Sequence, residues 1–207
     1  MNIRQKITPE DMRERIISVA EEHFRRIGYA KTAVADIAAA LGMSPANVYR
    51  FFPSKSAINN AICQRILVEV GQLIAGIAAR DLPSPDKLKA FFVELHQYYR
   101  ATLINEHRLH DMVEVAMAEN WPAIDAHCQA MVMELAGIIG EGVDNGSFRK
   151  VDPAEFAQAA FEASAKILHP TLIAQGLNCP HGKPGDLGQQ DDQVERITAL
   201  ILAALRP

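Results

Sequence analysis

Residues 32–55 read TAVADIAAALGMSPANVYRFFPSK, and the fold turns on how this stretch is punctuated. Val34, Ile37, Ala38 and Leu41 recur at i, i+3, i+4 and i+7, which gathers their side chains on one face of a helix. Thr32 stands where that helix needs an N-cap, with a hydroxyl able to accept from an orphan backbone N–H. Gly42 suits a left-handed stop, Ser44 can cap a second helix, and Pro45 fills that helix's first position, where its missing N–H costs nothing. The second helix then starts about three residues after the first ends. Two amphipathic helices across so short a turn form a helix-turn-helix, whose second helix lays its N-terminal side chains against base edges in the DNA major groove.

That placement nominates DNA contacts, Thr32 at the start of the first helix among them. Ser44 opens the second helix, and Asn47 and Ala46 lie near its N-terminus, where they can read an adenine edge and a thymine methyl. Arg50 follows on the same helix and fits either a base reader or a solvated arginine. Tyr49, beside Phe51 and Phe52, can be read as a core ring. Lys55 sits in the first turn of the next helix, where a cation opposes the positive end of the macrodipole unless an anion arrives; phosphate is the natural anion.

The segment resembles the DNA-binding domain of the TetR family of bacterial transcriptional repressors over roughly residues 8 to 60. The matching positions are Thr32, Asp36-Ile37-Ala38, Leu41-Gly42-Met43-Ser44, Val48-Tyr49, Phe52, Ser54-Lys55 and Ile58. The resemblance implies that Tyr49 binds a phosphate through its hydroxyl and that Lys55 binds another. Ala33 departs from the pattern, since many relatives carry a second threonine there that can touch the DNA backbone.

Outward from this head, the chain has the composition of a core-forming protein: 207 residues, 49% hydrophobic and 22% charged. Long stretches carry helical periodicity and none alternates as a strand does, so the expected fold is all-α. Charge is divided unevenly. Residues 1–55 hold nine Lys+Arg against six Asp+Glu, a net of +3, while the remainder holds 12 against 19, a net of −7. Positive charge is concentrated where phosphate would be met. Arg4 and Lys6 precede the first helix as an arm able to reach the backbone, or as a frayed terminus. Cys63, Cys128 and Cys179 form no C-x-x-C pair, the start MNIRQKITPED lacks the apolar region of a signal peptide, and no run of about 18 apolar residues suggests a membrane span. The expectation is a cytoplasmic protein with no membrane partner, no cofactor and no metal.

A first helix is expected from the cap Thr8-Pro9-Glu10-Asp11 to Gly28. A long one is expected from Ser54 to about Ile77, followed by a break at Asp81-Leu82-Pro83-Ser84-Pro85. The expected organisation is a three-helix helix-turn-helix DNA-binding domain at 1–54, a connecting helix at 55–80, and a helical ligand-binding and dimerisation domain at 81–207. Further helices are expected at about 85–104, 106–119, 122–144, 153–175 and 191–205, with a flexible loop over 176–190.

Two late stripes suggest self-association: Phe156, Ala159, Ala160, Ala163 and Ile167, then Val194, Ile197, Ile201, Ala204 and Leu205. Burial inside one subunit is the alternative. The TetR resemblance implies a homodimer through the last two helices, whose two heads would meet palindromic double-stranded operator DNA. For a small-molecule effector the middle helices offer Phe91, His96, Tyr98, Tyr99, Met112, His127 and Met131. His107, His110 and Glu114 could share one face as metal ligands, but their order is not H-E-x-x-H. The resulting reading is a one-component repressor released from its operator by a ligand. The alternatives are a ligand-independent architectural DNA-binding factor and a helical enzyme using His107, Glu114 or Cys128. No motif ties those residues to catalysis, so no catalytic residue is expected.

Overall fold

A hydroxyl and a carboxylate three residues apart start the first helix. Thr8 Oγ1 accepts from the Asp11 N–H at 3.0 Å, and the Asp11 carboxylate accepts from the Thr8 N–H at 3.1 Å. This reciprocal pair holds the Asp11 carboxyl below its ordinary range. In the computed structural model, which describes residues 8–104, 112, 115, 122–177 and 187–207, all regular structure is helical. The elements are α1 (Pro9–Ile27), α2 (Val34–Ala40), α3 (Pro45–Tyr49), α4 (Lys55–Ala78) and α5 (Ser84–Tyr99), the last running on into a π-helical turn at Arg100–Ile104. After them come α6 (Pro122–Asp144), α7 (Pro153–Ala163), α8 (Ala165–Leu168), α9 (Pro170–Leu177) and α10 (Leu187–Ala204).

The chain forms two compact units, one from residues 1–66 with 106–119, the other from 67–105 with 120–207. The division falls inside α4, which supplies its first three turns to one unit and the rest to the other. In the first unit α2 packs between α1 and α3, and Ile16, Ala20, Phe24, Ile37, Ala38, Val48, Phe52, Ile58 and Ile62 are buried. Arg13 donates to the Phe51 carbonyl at 2.7 Å and stacks 4.2 Å from the Phe52 ring centroid, which ties α1 to the end of the reading helix. Arg65 on α4 pairs with Glu14 and Glu21 of α1. Buried Asn59 donates to the Met112 carbonyl at 3.4 Å.

In the second unit α5 is central and packs against α6, α8 and α10, while α7 lies along α6. Leu88, Phe91, Phe92, Leu95, Leu135, Ile138 and Ile139 form its interior. Polar ties hold the ends. Lys87 pairs with Glu141 at 2.8 Å, Arg100 with Asp191 at 2.6 Å, and the Arg149 side chain donates to the Ala204 carbonyl at 2.7 Å.

Several sequence expectations change. Thr32 does not cap α2: Ala33 is the cap residue, and the Asp36 carboxylate accepts from its N–H at 2.8 Å. The Thr32 hydroxyl turns back to donate to the Gly28 carbonyl, also at 2.8 Å. The helix expected over 153–175 is three helices. It breaks at Ser164, whose hydroxyl donates to the Ala160 carbonyl, and again before Pro170, which has no N–H to continue the ladder. The loop expected over 176–190 is helical at both ends, since α9 reaches Leu177 and α10 begins at Leu187. Helix α4 is long and apolar enough to cross a membrane by length and composition. However, its stripe Ile58, Ile62, Ile66, Val70, Ile74 and Ile77 is buried and its Arg65 is ion-paired to α1, as in the core helix of a folded protein. Within the described residues Cys63 and Cys128 are free thiols; burial pushes the Cys63 thiol up to about 12.

Candidate nucleic-acid interface and effector site

The reading helix is positioned from below. Ser44 Oγ accepts from the Asn47 N–H at 3.4 Å and starts α3, Gly42 takes a left-handed φ of +67° in the turn before it, and Val48 anchors it in the core. What remains outside is the row Ser44, Ala46, Asn47, Tyr49 and Arg50, all exposed. Tyr49 is 50% exposed, which rules out the core-ring reading and leaves its hydroxyl available. Thr32 differs from the rest of the set. At 2% exposure, with its hydroxyl committed to Gly28, it shapes the turn before α2.

Lys55 is held by groups distant in sequence. Its Nζ donates to the carbonyls of Tyr29 at 2.9 Å, Thr32 at 3.1 Å and Ala30 at 3.5 Å, and lies 4.4 Å from the Tyr29 ring centroid. The charge that opposes the α4 dipole is therefore compensated inside the protein by the turn after α1. Tyr29 stacks edge-on against Phe24, so the turn is packed as well as bonded. Arg13, Tyr29 and Arg65 were not singled out by sequence reasoning, because each acts through partners far along the chain.

In the second unit the structure joins only part of the nominated effector set. Phe91, His96, Tyr99 and Met131 are buried, and the Tyr99 hydroxyl donates to Met131 Sδ at 3.7 Å across the α5–α6 contact. Burial raises the Tyr99 phenol above its ordinary range. His127 sits one helical turn before Met131, partly exposed, with a buried Nε2. Tyr98 turns elsewhere and donates to Glu69 of α4 at 2.8 Å. Met112 belongs to the other compact unit, with its carbonyl on Asn59. His107, His110 and Glu114 lie outside the described residues.

The self-association stripe is also rearranged. Val194 and Ile201 on α10 and Leu205 just after it, with Ala160 and Ile167, are buried within their own subunit. Helix α10 is apolar on two faces, and the repeat Val194, Thr198 and Ile201 takes the inner one. The outer face carries Ile197, Leu200 and Ala204, with Leu200 71% exposed; on α7, Ala159 and Ala163 are exposed and Phe156 is half-buried.

Residues 16–62 match the family model of bacterial regulatory proteins of the tetR family, and residues 84–180 match the tetracyclin repressor-like C-terminal domain. The chain belongs to the TetR family. Solved structures repeat this architecture from end to end. A transcriptional regulator from Cytophaga hutchinsonii aligns with a TM-score of 0.71 at 21% identity, covering 94% of this chain and 98% of that one. A TetR/AcrR-family regulator from Thermobifida fusca gives 0.67 at 25% identity, covering 95% and 100%. SmeT, the repressor of the Stenotrophomonas maltophilia multidrug efflux pump SmeDEF, gives 0.67 at 20% identity, covering 94% and 90%. No curated protein matches the chain.

For this TetR-family head the Lys55 geometry gives a direct expectation. Lys55→Ala should cost the folded head about 1–3 kcal/mol through the lost charged hydrogen bonds, with the salt dependence of DNA binding unchanged. Thermal melts beside a salt titration separate this from a phosphate clamp, which would leave stability alone and lower the slope by about one unit.

Proposed function

We propose that this TetR-family regulator is a dimeric, operator-binding repressor whose affinity for DNA is lowered by a small molecule held in the second unit. The observation that carries the DNA-reading part is the exposed row Ser44, Ala46, Asn47, Tyr49 and Arg50 on a helix capped by Ser44 and anchored by Val48. A basic head supports the same reading, with a net of +3 over residues 1–55 against −7 beyond it. SmeT, which shares the fold, is a repressor and has been solved with triclosan.

A ligand can release DNA only by binding the released form better than the DNA-bound form, and DNA must then weaken ligand binding by the same factor. Helix α4, common to both units, is the proposed carrier of that coupling. Asn47 and Arg50 are assigned to base edges and the Tyr49 hydroxyl to phosphate. Asn47→Ala and Arg50→Ala should each cost about 1–3 kcal/mol and relax preference at particular base pairs. Tyr49→Phe should weaken all sequences alike. Binding to a panel of single-base operator variants tests this; uniform weakening by Asn47→Ala and Arg50→Ala would take base reading away from α3.

A further inference from the structure

His96 is 3% exposed, and its Nδ1 lies 2.8 Å from the Ile167 carbonyl. A carbonyl oxygen only accepts, so Nδ1 carries the proton. In the neutral ring Nε2 is then a bare acceptor. It is buried and has no hydrogen-bond partner among the described residues. Burial, the largest influence on this imidazole, lowers its pKa and favours the neutral ring. One turn along α5 the Tyr99 hydroxyl spends its proton on the weak acceptor Met131 Sδ. One turn back from Met131 on α6, His127 Nε2 is a second buried nitrogen without a partner among the described residues. A native interior satisfies its polar groups, so an unmatched nitrogen on α5 and another on α6 need an explanation.

We propose that His96 is the recognition residue for a neutral aromatic effector, and that its Nε2 accepts a hydrogen bond from the effector's hydroxyl. The proposal rests on the reading of the second unit as an effector-binding domain and names the chemistry it selects. An anionic ligand would set its charge against the Nε2 lone pair. A cationic one would need a carboxylate, and Asp191, whose charge is felt at His96, is already 2.6 Å from Arg100. A neutral donor meets neither penalty. An aromatic body matches the ring-rich interior of this unit, where Phe91 and Phe92 stack edge-on on α5 and Tyr99 meets Met131 Sδ.

The test uses the full-length protein and two probes of one shape, 2-naphthol and 2-methoxynaphthalene, which differ in the donor. By calorimetry the naphthol should bind wild type about tenfold tighter than the ether, and His96→Phe should remove that preference. Nitrogen NMR of the wild-type imidazole keeps the proposal testable if His96→Phe does not fold. There Nε2 should resonate as an unprotonated nitrogen and shift on adding naphthol but not ether. A protonated Nε2 in the free protein, no binding of naphthol, equal binding of both probes, or a preference that survives His96→Phe would each overturn the assignment. A parallel operator titration separates the two layers. Equal binding of both probes with operator release would keep the effector domain and remove His96 as its recognition residue. A His96-dependent preference without any change in operator affinity would keep the His96 site and remove its regulatory role.

Discussion

Replacing Leu200 and Ile197 together by glutamate should leave folded monomers and lower operator affinity on the order of a thousandfold, because two linked heads gain about 10²–10⁴ in avidity over one. Leu200 is 71% exposed and Ile197 is half-buried, so neither substitution empties the subunit's own core. What they place on the outer face of α10 is charge that must be desolvated, twice, if two copies are to meet there. Val194→Glu is the control. That side chain is buried within the subunit, and its replacement should unfold the second unit as well as disrupt association. Sedimentation of the double variant decides the matter. Dimers that persist would move the interface to another surface, of which the exposed Met133 on α6 is the first to test.

Gly142→Ala should destabilise the second unit by about 3 kcal/mol or more, the upper end of what overpacking a core costs. A Cβ at this position would lie 2.1 Å from Phe148 Cδ2 and 2.4 Å from Cε2, distances at which something must move. Phe148 cannot swing aside cheaply. It is buried, and its N–H donates to the Gly142 carbonyl at 2.9 Å, closing the turn after α6. That turn also relies on Gly146, at a φ of +78°, and on Asn145, whose side chain accepts from the Ser147 N–H. Because the two residues compete for one space, Gly142→Ala combined with Phe148→Ala should lose less than the sum of the single losses. Denaturant unfolding of the three variants measures this; additive losses would show that the ring is not the obstacle.

These expectations separate what local sequence reveals from what only the fold supplies. Thr8, Ser44 and Ser54 act as caps on backbone groups within three residues, and Gly42 stops a helix by its own φ, so each was legible from neighbours alone. Thr32 was misread as a cap because Asp36, two positions into the helix pattern, competes for the same end and reaches the Ala33 N–H. Lys55 was legible as an anomaly and not as a solution: its carbonyl partners lie 23 to 26 residues earlier. The helix expected over 153–175 runs across Pro170, although a proline has no N–H to continue the ladder and the helix before it ends at Leu168. On α10 both faces are apolar, so periodicity showed a helix that packs twice without showing which face packs inward. The effector set was the least legible part. Being aromatic or histidine groups Tyr98 with Tyr99, whereas the fold sends one to Glu69 and the other to Met131.

The most direct test of the central claim is selection of double-stranded DNA from a random pool by the full-length protein, followed by titration of the selected site at several salt concentrations. The account predicts an inverted repeat whose half-sites lie about one helical turn, or a multiple of it, apart. It also predicts a stoichiometry of whole dimers and an affinity that falls steeply with salt. Asn47→Ala and Arg50→Ala should change the selected bases. Recovery of no sequence preference, or of an asymmetric site bound by a single chain and indifferent to both substitutions, would contradict it.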